Sequence, residues 1–319
     1  MRAVVQERYG APDVLELRDV DRPVPGDGEV LVRVRAASVN FRDWAVLRGR
    51  PRVLRLATGI RRPKDAIPGV DLAGEVEAVG SDVTALHPGD RVFGRCAGAF
   101  AEYACAKQTR LTPMPAGLSF EQAAAVPLAA TTALQGVRDQ GRLQPGQRVL
   151  VIGASGGVGT FAVQIARALG AHVTGVCGPA NAELVRSIGA DEVVDYTRVD
   201  ISRAARGYDV IFQVAGTDSP LALRRALTPT GTLVLSSGRG RLAGIDRIVK
   251  ASLASPFVRQ RLVVFVEHEN AADLLVLKEL VESGAVTPVI DRAYPLAEAS
   301  QALRYVEAGH TRGKVVITA

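Results

Sequence analysis

Residues Gly153 to Gly159, reading GASGGVG, have the types and spacing that most directly suggest chemistry. Ala154, Gly156 and Gly159 stand at the three places of a G-x-G-x-x-G turn, with Gly153 just before the first. In such a turn the second position lets the backbone approach a pyrophosphate, and the third lets a helix sit close to a strand. Ser155, Gly157 and Val158 complete the loop and open the helix, whose leading amides would face an anion. The flanks supply the needed context. Val149 to Ile152 reads as a buried parallel strand, and Val158, Ala162, Ile165, Ala166 and Leu169 recur at helical spacing. Gly170 stops the helix, and His172 to Cys177 reads as a second strand. Strand, turn, helix and strand within about thirty residues form a βαβ unit suited to a dinucleotide.

The end of that second strand discriminates between dinucleotides, because an Asp or Glu there binds a free ribose 2′-hydroxyl. Here it reads Cys177-Gly178-Pro179-Ala180-Asn181, with no carboxylate to repel a 2′-phosphate. Asn181, and Tyr196 after the third strand, can donate hydrogen bonds to such a phosphate, with Arg186 and Arg198 nearby in sequence. NADPH is therefore the expected cofactor.

The rest of the chain must hold this turn and give it a partner. At 319 residues, 47% hydrophobic and 23% charged, it suits two globular domains. There is no apolar leader and no run of about 18 apolar residues, so a cytoplasmic location and no membrane partner are expected. Three cysteines without a CxxC argue against a disulfide framework or a four-cysteine zinc lobe. The net charge of +6 comes without aromatic interleaving, and no nucleic-acid partner is expected.

Residues 1 to about 120 show short strand signals broken by Gly, Pro and Asp, as in a β-rich, barrel-like domain. Arg48 to Lys64 is strongly basic, either a partly helical flap over a cleft or a solvated loop. SFEQAAAVPLAATTALQGVRDQ is a helical run whose Ser119 and Gln122 resemble a capping box. Alternating strands and helices follow, the signature of a doubly wound parallel sheet. The tail reads helix (271–283), strand (286–290), helix (296–308) and strand (314–318), completing the sheet and returning to the first domain.

Taken in order, SVNFRD, PGVDLAGEVEAVG, PGDRVFG, GAFAEYA, VPLAATTALQGV, GASGGVG, GADEVVDY and RGKVVIT resemble the medium-chain dehydrogenase/reductase superfamily, in its zinc-independent quinone oxidoreductase branch. The resemblance implies an α/β fold with a GroES-like β-barrel domain (1–120, rejoined by about 267–319) and a Rossmann domain (121–266). It also implies an active-site cleft between them and a homodimer. Where zinc-dependent relatives carry a cysteine ligand, this chain reads Asn40-Phe41-Arg42-Asp43; where they carry GHE, it reads Gly69-Val70-Asp71. No metal site is expected.

The resemblance further places Asn40 near nicotinamide and substrate, with Asp43 shaping its loop, and aims the Thr132 hydroxyl at the nicotinamide. Ala215, Gly216, Ser236 and Gly238 end two parallel strands where cofactor loops belong. Phe265 either packs on the nicotinamide or fills the core. Lys314 either approaches the cofactor or is an edge-strand lysine. The expected reaction is hydride transfer from NADPH to a quinone or to the activated C=C bond of an enone or enal, where positioning and electrostatics suffice. The alternatives are a zinc-free alcohol dehydrogenase or enoyl-thioester reductase, and a redox-inert NADPH-binding structural or RNA-binding protein.

Overall fold

The computed structural model describes residues 1–204, 206–236 and 259–319. Among them lie fifteen strands: β1 (Arg2–Gln6), β2 (Leu15–Asp19), β3 (Glu29–Val39), β4 (Asp71–Val79), β5 (Arg91–Arg95), β6 (Tyr103–Lys107), β7 (Leu111–Pro113), β8 (Arg148–Ile152), β9 (His172–Cys177), β10 (Glu192–Asp195), β11 (Tyr208–Gln213), β12 (Leu227–Leu235), β13 (Arg261–Val264), β14 (Ile290–Pro295) and β15 (Lys314–Thr318). The chain divides into two compact units. One comprises Met1–Ala129, Asn270–Ser283 and Pro288–Ala319; the other comprises Ala130–Glu269 and Gly284–Thr287.

In the first unit β3 is the spine. It pairs along one edge with β4, and its other edge is shared by β6 at one end and β15 at the other. The sheet runs β14-β15-β3-β4-β5-β7, with β1 and β2 forming a separate hairpin. Val30, Val32 and Val34 alternate inward and are buried with Leu72, Val76, Val92, Phe100, Val315 and Ile317 in one core. That alternation fixes the register, since a one-residue slip would turn these side chains to solvent. The register sets Val39 beside Val315 and Ser38 beside Asp71, so three adjacent strands bring Lys314, Asn40 and Asp71 to one end of the sheet.

The second unit is a six-stranded parallel sheet, order β10-β9-β8-β11-β12-β13. The strand order reverses between β8 and β11, which is where ligands bind in such sheets. The Gly157–Ala168 helix follows β8 and buries Phe161, Ala162, Val163, Ile165 and Ala166. The Ser119–Gln122 capping box forms as expected, with reciprocal bonds of 3.1 and 3.2 Å. The helical run after it is interrupted: helices span Phe120–Ala124 and Pro127–Leu134, and a wider π turn carries Gln135–Gln140. Pro127 has no N–H to continue the first helix and instead starts the second.

The expected strand at 286–290 is displaced to Ile290–Pro295. Pro288 lacks an amide donor, and Thr287 is already tied at both backbone groups to the Gln164 side chain (2.8 and 3.0 Å). Gln135 clamps both backbone groups of His268 in the same way. Each glutamine secures a returning segment with two partly buried bonds. Gln164→Leu, which keeps volume but removes both bonds, should cost about 1–3 kcal/mol in urea unfolding. An unchanged midpoint would show the clamp to be dispensable.

Candidate active site

In the second unit the glycine turn is folded by two carbonyls. Val176 O accepts from both Gly153 N and Ala154 N, and Ile152 O accepts from both Val214 N and Ala215 N. The turn is thereby curled beside Ala215 and Gly216 at the reversal point. The amides of Gly157, Val158 and Gly159 lead the helix and have no acceptor one turn back, which leaves them for an anion. Gly159 is needed for packing: a Cβ there would lie 2.0 Å from Gly153 O. Gly156 is not. A Cβ there would meet nothing closer than Gly153 O at 3.5 Å, so the fold itself leaves this space open. A dinucleotide pyrophosphate is the group that would use it.

Other predicted residues gather at the ends of neighbouring strands. Asn181 Nδ2 donates to Ser155 Oγ (3.1 Å), and Asn181 Oδ1 is buried without a partner. Tyr196 is exposed and lies against Gly178. The sheet also pairs Asp195 with Cys177, a carboxylate beside the tip that the linear sequence conceals. Its oxygens are engaged by Thr197 N and Oγ1, at 2.9 and 2.8 Å, and by Arg198. Bonds from Thr197 hold its carboxyl below the usual range. Ser236 N bonds Gln213 O, and Phe265 is buried with its N on Leu235 O. Thr132 is buried within the Pro127–Leu134 helix. Gly238 lies outside the described residues.

Gly156→Ala should unfold within about 1 kcal/mol of the parent, since its backbone conformation suits alanine. It should nevertheless bind a nicotinamide dinucleotide at least about tenfold more weakly in a fluorescence titration. Gly159→Ala should lose about 1–3 kcal/mol of stability through the forced backbone shift. Equal affinity for Gly156→Ala and parent would remove the pyrophosphate from this turn.

In the first unit the structure builds a buried polar cluster that sequence reasoning saw only in pieces. Lys314 Nζ, fully enclosed, donates to Asn40 Oδ1 (2.6 Å) and Val39 O (3.1 Å). Its hydrogen-bond partners are therefore Val39 and Asn40, within the first unit. Asn40 Nδ2 donates to Asp71 Oδ2 (3.0 Å) and more weakly to Ser38 O (3.4 Å). Asp71 Oδ2 also accepts from Ser38 Oγ and from Leu128 N, while its Oδ1 is buried without a partner. Asp43, near the start of the Phe41–Arg48 helix, accepts from Asn40 N (2.7 Å) and so fixes the loop, as expected.

Asp71 was the missed residue. Its signal was a carboxylate at the head of the apolar run Asp71-Leu72-Ala73-Gly74, which is tolerable inside a core only with partners. Burial lowers the Lys314 ammonium from its ordinary range, opposed by Asp71 and Asp43. Burial pushes the Asp43 carboxyl up to about 6, against the bond from Asn40 N. Burial also pushes the Cys96 thiol well up, with Asp71 adding to the effect.

The Asp43 shift has a definite sign. The folded protein holds this proton more tightly than the unfolded chain, whose value is 3.8. Its contribution to stability is complete below that value and is lost as pH rises through about 6. Asp43→Asn keeps an oxygen for Asn40 N but removes the titration. From pH about 4 to about 7, its stability relative to the parent should improve by about 2 kcal/mol in urea unfolding. A difference that does not change with pH would place the titration elsewhere.

Two family models match the chain: the alcohol dehydrogenase GroES-like domain over residues 26–116 and the zinc-binding dehydrogenase over residues 188–317. The chloroplastic quinone oxidoreductase of Triphysaria versicolor is 31% identical over 331 residues, covering 99% of this chain and 98% of its own. A quinone oxidoreductase of Pseudomonas aeruginosa is 34% identical over 322 residues, covering 97% of each. The structure of the Coxiella burnetii quinone oxidoreductase superposes with a TM-score of 0.89 at 29% identity, covering 100% of this chain and 99% of that one. The sheet of the first unit is thus a GroES-like domain and the parallel sheet of the second a Rossmann-type domain, and the chain belongs to the quinone oxidoreductase-like branch of the medium-chain dehydrogenase/reductase superfamily.

Proposed function

We propose that this protein is an NADPH-dependent, zinc-independent reductase of quinones and of conjugated C=C bonds in enones and enals. The observation that carries this reading is the buried cluster around Asn40. A neutral amide stands where zinc-dependent relatives carry a cysteine. Its oxygen is taken by the Lys314 ammonium, and its nitrogen by Asp71 and Ser38. The residues present do not fit a catalytic zinc. Lys314 already occupies Asn40 Oδ1, burial opposes ionisation of the Cys96 thiol, and Val70 stands at the histidine place. Among the described residues no three His, Cys, Asp or Glu side chains converge as metal ligands.

The residues do fit a dinucleotide. The open space at Gly156 and the leading amides of Gly157, Val158 and Gly159 would hold its pyrophosphate. Asn181 and Tyr196 would take the 2′-phosphate, with the Asp195 oxygens engaged by Thr197 and Arg198. The bound nicotinamide would supply hydride. This chain's own groups then position the acceptor. The 3.4 Å bond from Asn40 Nδ2 to Ser38 O is the weakest in its set, and an acceptor carbonyl can replace it. Lys314 is a positioning residue, because its bond to Oδ1 decides which way the amide faces. Thr132 Oγ1 would address the nicotinamide.

Steady-state oxidation of NADPH should be supported by naphthoquinone, phenanthrenequinone, a simple enone and an enal, and not by crotonyl thioester. NADH in parallel should bind at least about tenfold more weakly, or about 1.4 kcal/mol. Lys314→Met should lower kcat/KM about a hundredfold through misplacement of Asn40 while leaving the Kd for NADPH unchanged. Tighter NADH binding would overturn the coenzyme assignment, and stoichiometric zinc by metal analysis would overturn the zinc-independent one.

A further inference from the structure

Residues 44–64 hold seven of the chain's 39 lysines and arginines and none of its 33 aspartates and glutamates. The other 32 cations face 33 carboxylates, so the molecule's entire positive excess sits in this one segment. It is partly helical, with short turns at Arg52–Leu54 and Arg55–Thr58.

Its polar groups fasten it to the body of the first unit. The Tyr9 hydroxyl bonds Thr58 Oγ1 and Gly59 O, and the Arg55 guanidinium lies 4.4 Å over the Tyr9 ring. Arg55 Nε donates to Gly49 O, Lys64 N to Thr58 O and Gln6 N to Ala66 O. Arg48 is paired with Glu307. The outward side is apolar: Val53, Leu56 and Ile60 are 58%, 72% and 70% exposed. Arg50, Arg52, Arg61, Arg62 and Lys64 are exposed among them. Arg62 also feels Glu7, itself engaged by Arg18.

An ordinary surface segment turns aliphatic groups inward and polar groups out. Here three large aliphatic groups face solvent among five cations, while Tyr9, Thr58 and Arg55 tie the segment to the body. We propose that residues 50–64 dock the protein on an anionic phospholipid surface. Val53, Leu56 and Ile60 enter the boundary between headgroups and acyl chains, and the five cations meet lipid phosphates. A nucleic acid would satisfy the cations but has no use for three aliphatic side chains, and the segment offers no outward aromatic for stacking. A two-fold contact between copies would set this predominantly basic patch against itself, like charge on like charge. The expectation of no membrane partner came from the lack of a spanning segment. Among the described residues no helix is long and apolar enough to cross a bilayer, but a patch lying on the surface needs none.

The test is co-sedimentation of the full chain with phosphatidylcholine vesicles, and with mixed phosphatidylcholine–phosphatidylserine vesicles, at low and high salt. The protein should pellet with the mixed vesicles, less so at high salt, and stay in solution with phosphatidylcholine alone. Arg61→Gln/Arg62→Gln should weaken partition about fivefold per cation removed. Leu56→Ser/Ile60→Ser, which leaves the charge intact, should weaken it at least about tenfold. Far-UV circular dichroism, the thermal midpoint and naphthoquinone turnover without vesicles should be unchanged in both. Three results would each overturn the proposal. One is no dependence on phosphatidylserine. Another is full vesicle binding by Leu56→Ser/Ile60→Ser, which marks a plain polyanion or acidic-protein site. The last is a smaller species of that variant on size exclusion, which marks a contact between copies.

Discussion

The bond from the Lys314 ammonium to the Asn40 amide makes demands on the whole first unit. A cation fully enclosed in protein is tolerated only if its donors are met and carboxylates lie near, and here Val39 O, Asn40 Oδ1, Asp71 and Asp43 serve. None of these is local to Lys314. They are reached because β15, the last strand of the chain, pairs antiparallel with the end of β3. The backbone must therefore leave the first unit after Ala129, build the second, and come back. Gly313 eases the return: a Cβ there would strike Val289 O at 2.3 Å, the same carbonyl that accepts Lys314 N. Removing β15 would leave Asn40 without its orienting donor and two buried carboxylates without a cation.

The second unit solves a different problem with backbone alone. Two carbonyls, Val176 O and Ile152 O, each take two amides, and this curls both turns at the strand reversal without any side chain. The donors left over are those at the head of the Gly157–Ala168 helix, where the helix dipole adds to their attraction for an anion. Positive potential here comes from geometry, whereas around Asn40 a buried lysine is set against two carboxylates. The first arrangement can hold a large, exchangeable ligand. The second is a small buried cluster whose hydrogen bonds fix the orientation of one amide.

Much of this was legible in the sequence because periodicity and turn chemistry are local. The βαβ unit, the Ser119 cap, the parallel strands and the Asp43 loop carboxylate all declare themselves within a few residues. What was not legible depends on pairs distant in sequence. Nothing near Pro288 reveals that Gln164 claims Thr287 and moves the strand to Ile290. Nothing near Cys177 reveals that Asp195 stands beside it. Asp71 was noticed only for following a missing histidine, and Lys314 was considered for the cofactor. Their common role with Asn40 follows from the register of β15, β3 and β4, which no single stretch encodes.

The charge count at Asn40 explains why the cluster can stay closed. One ammonium faces two carboxylates, an imbalance that is costly in a medium of low dielectric. Burial raises Asp43 to about 6, so its carboxyl holds a proton more tightly than an exposed one would. Loss of that proton adds one negative charge to the cluster around Asn40. A divalent ion would have to displace Lys314 or strip the Cys96 thiol against its burial. On the proposed zinc-independent reading the arrangement resists becoming a metal site, while its net charge changes with a single proton held on the Asn40 loop.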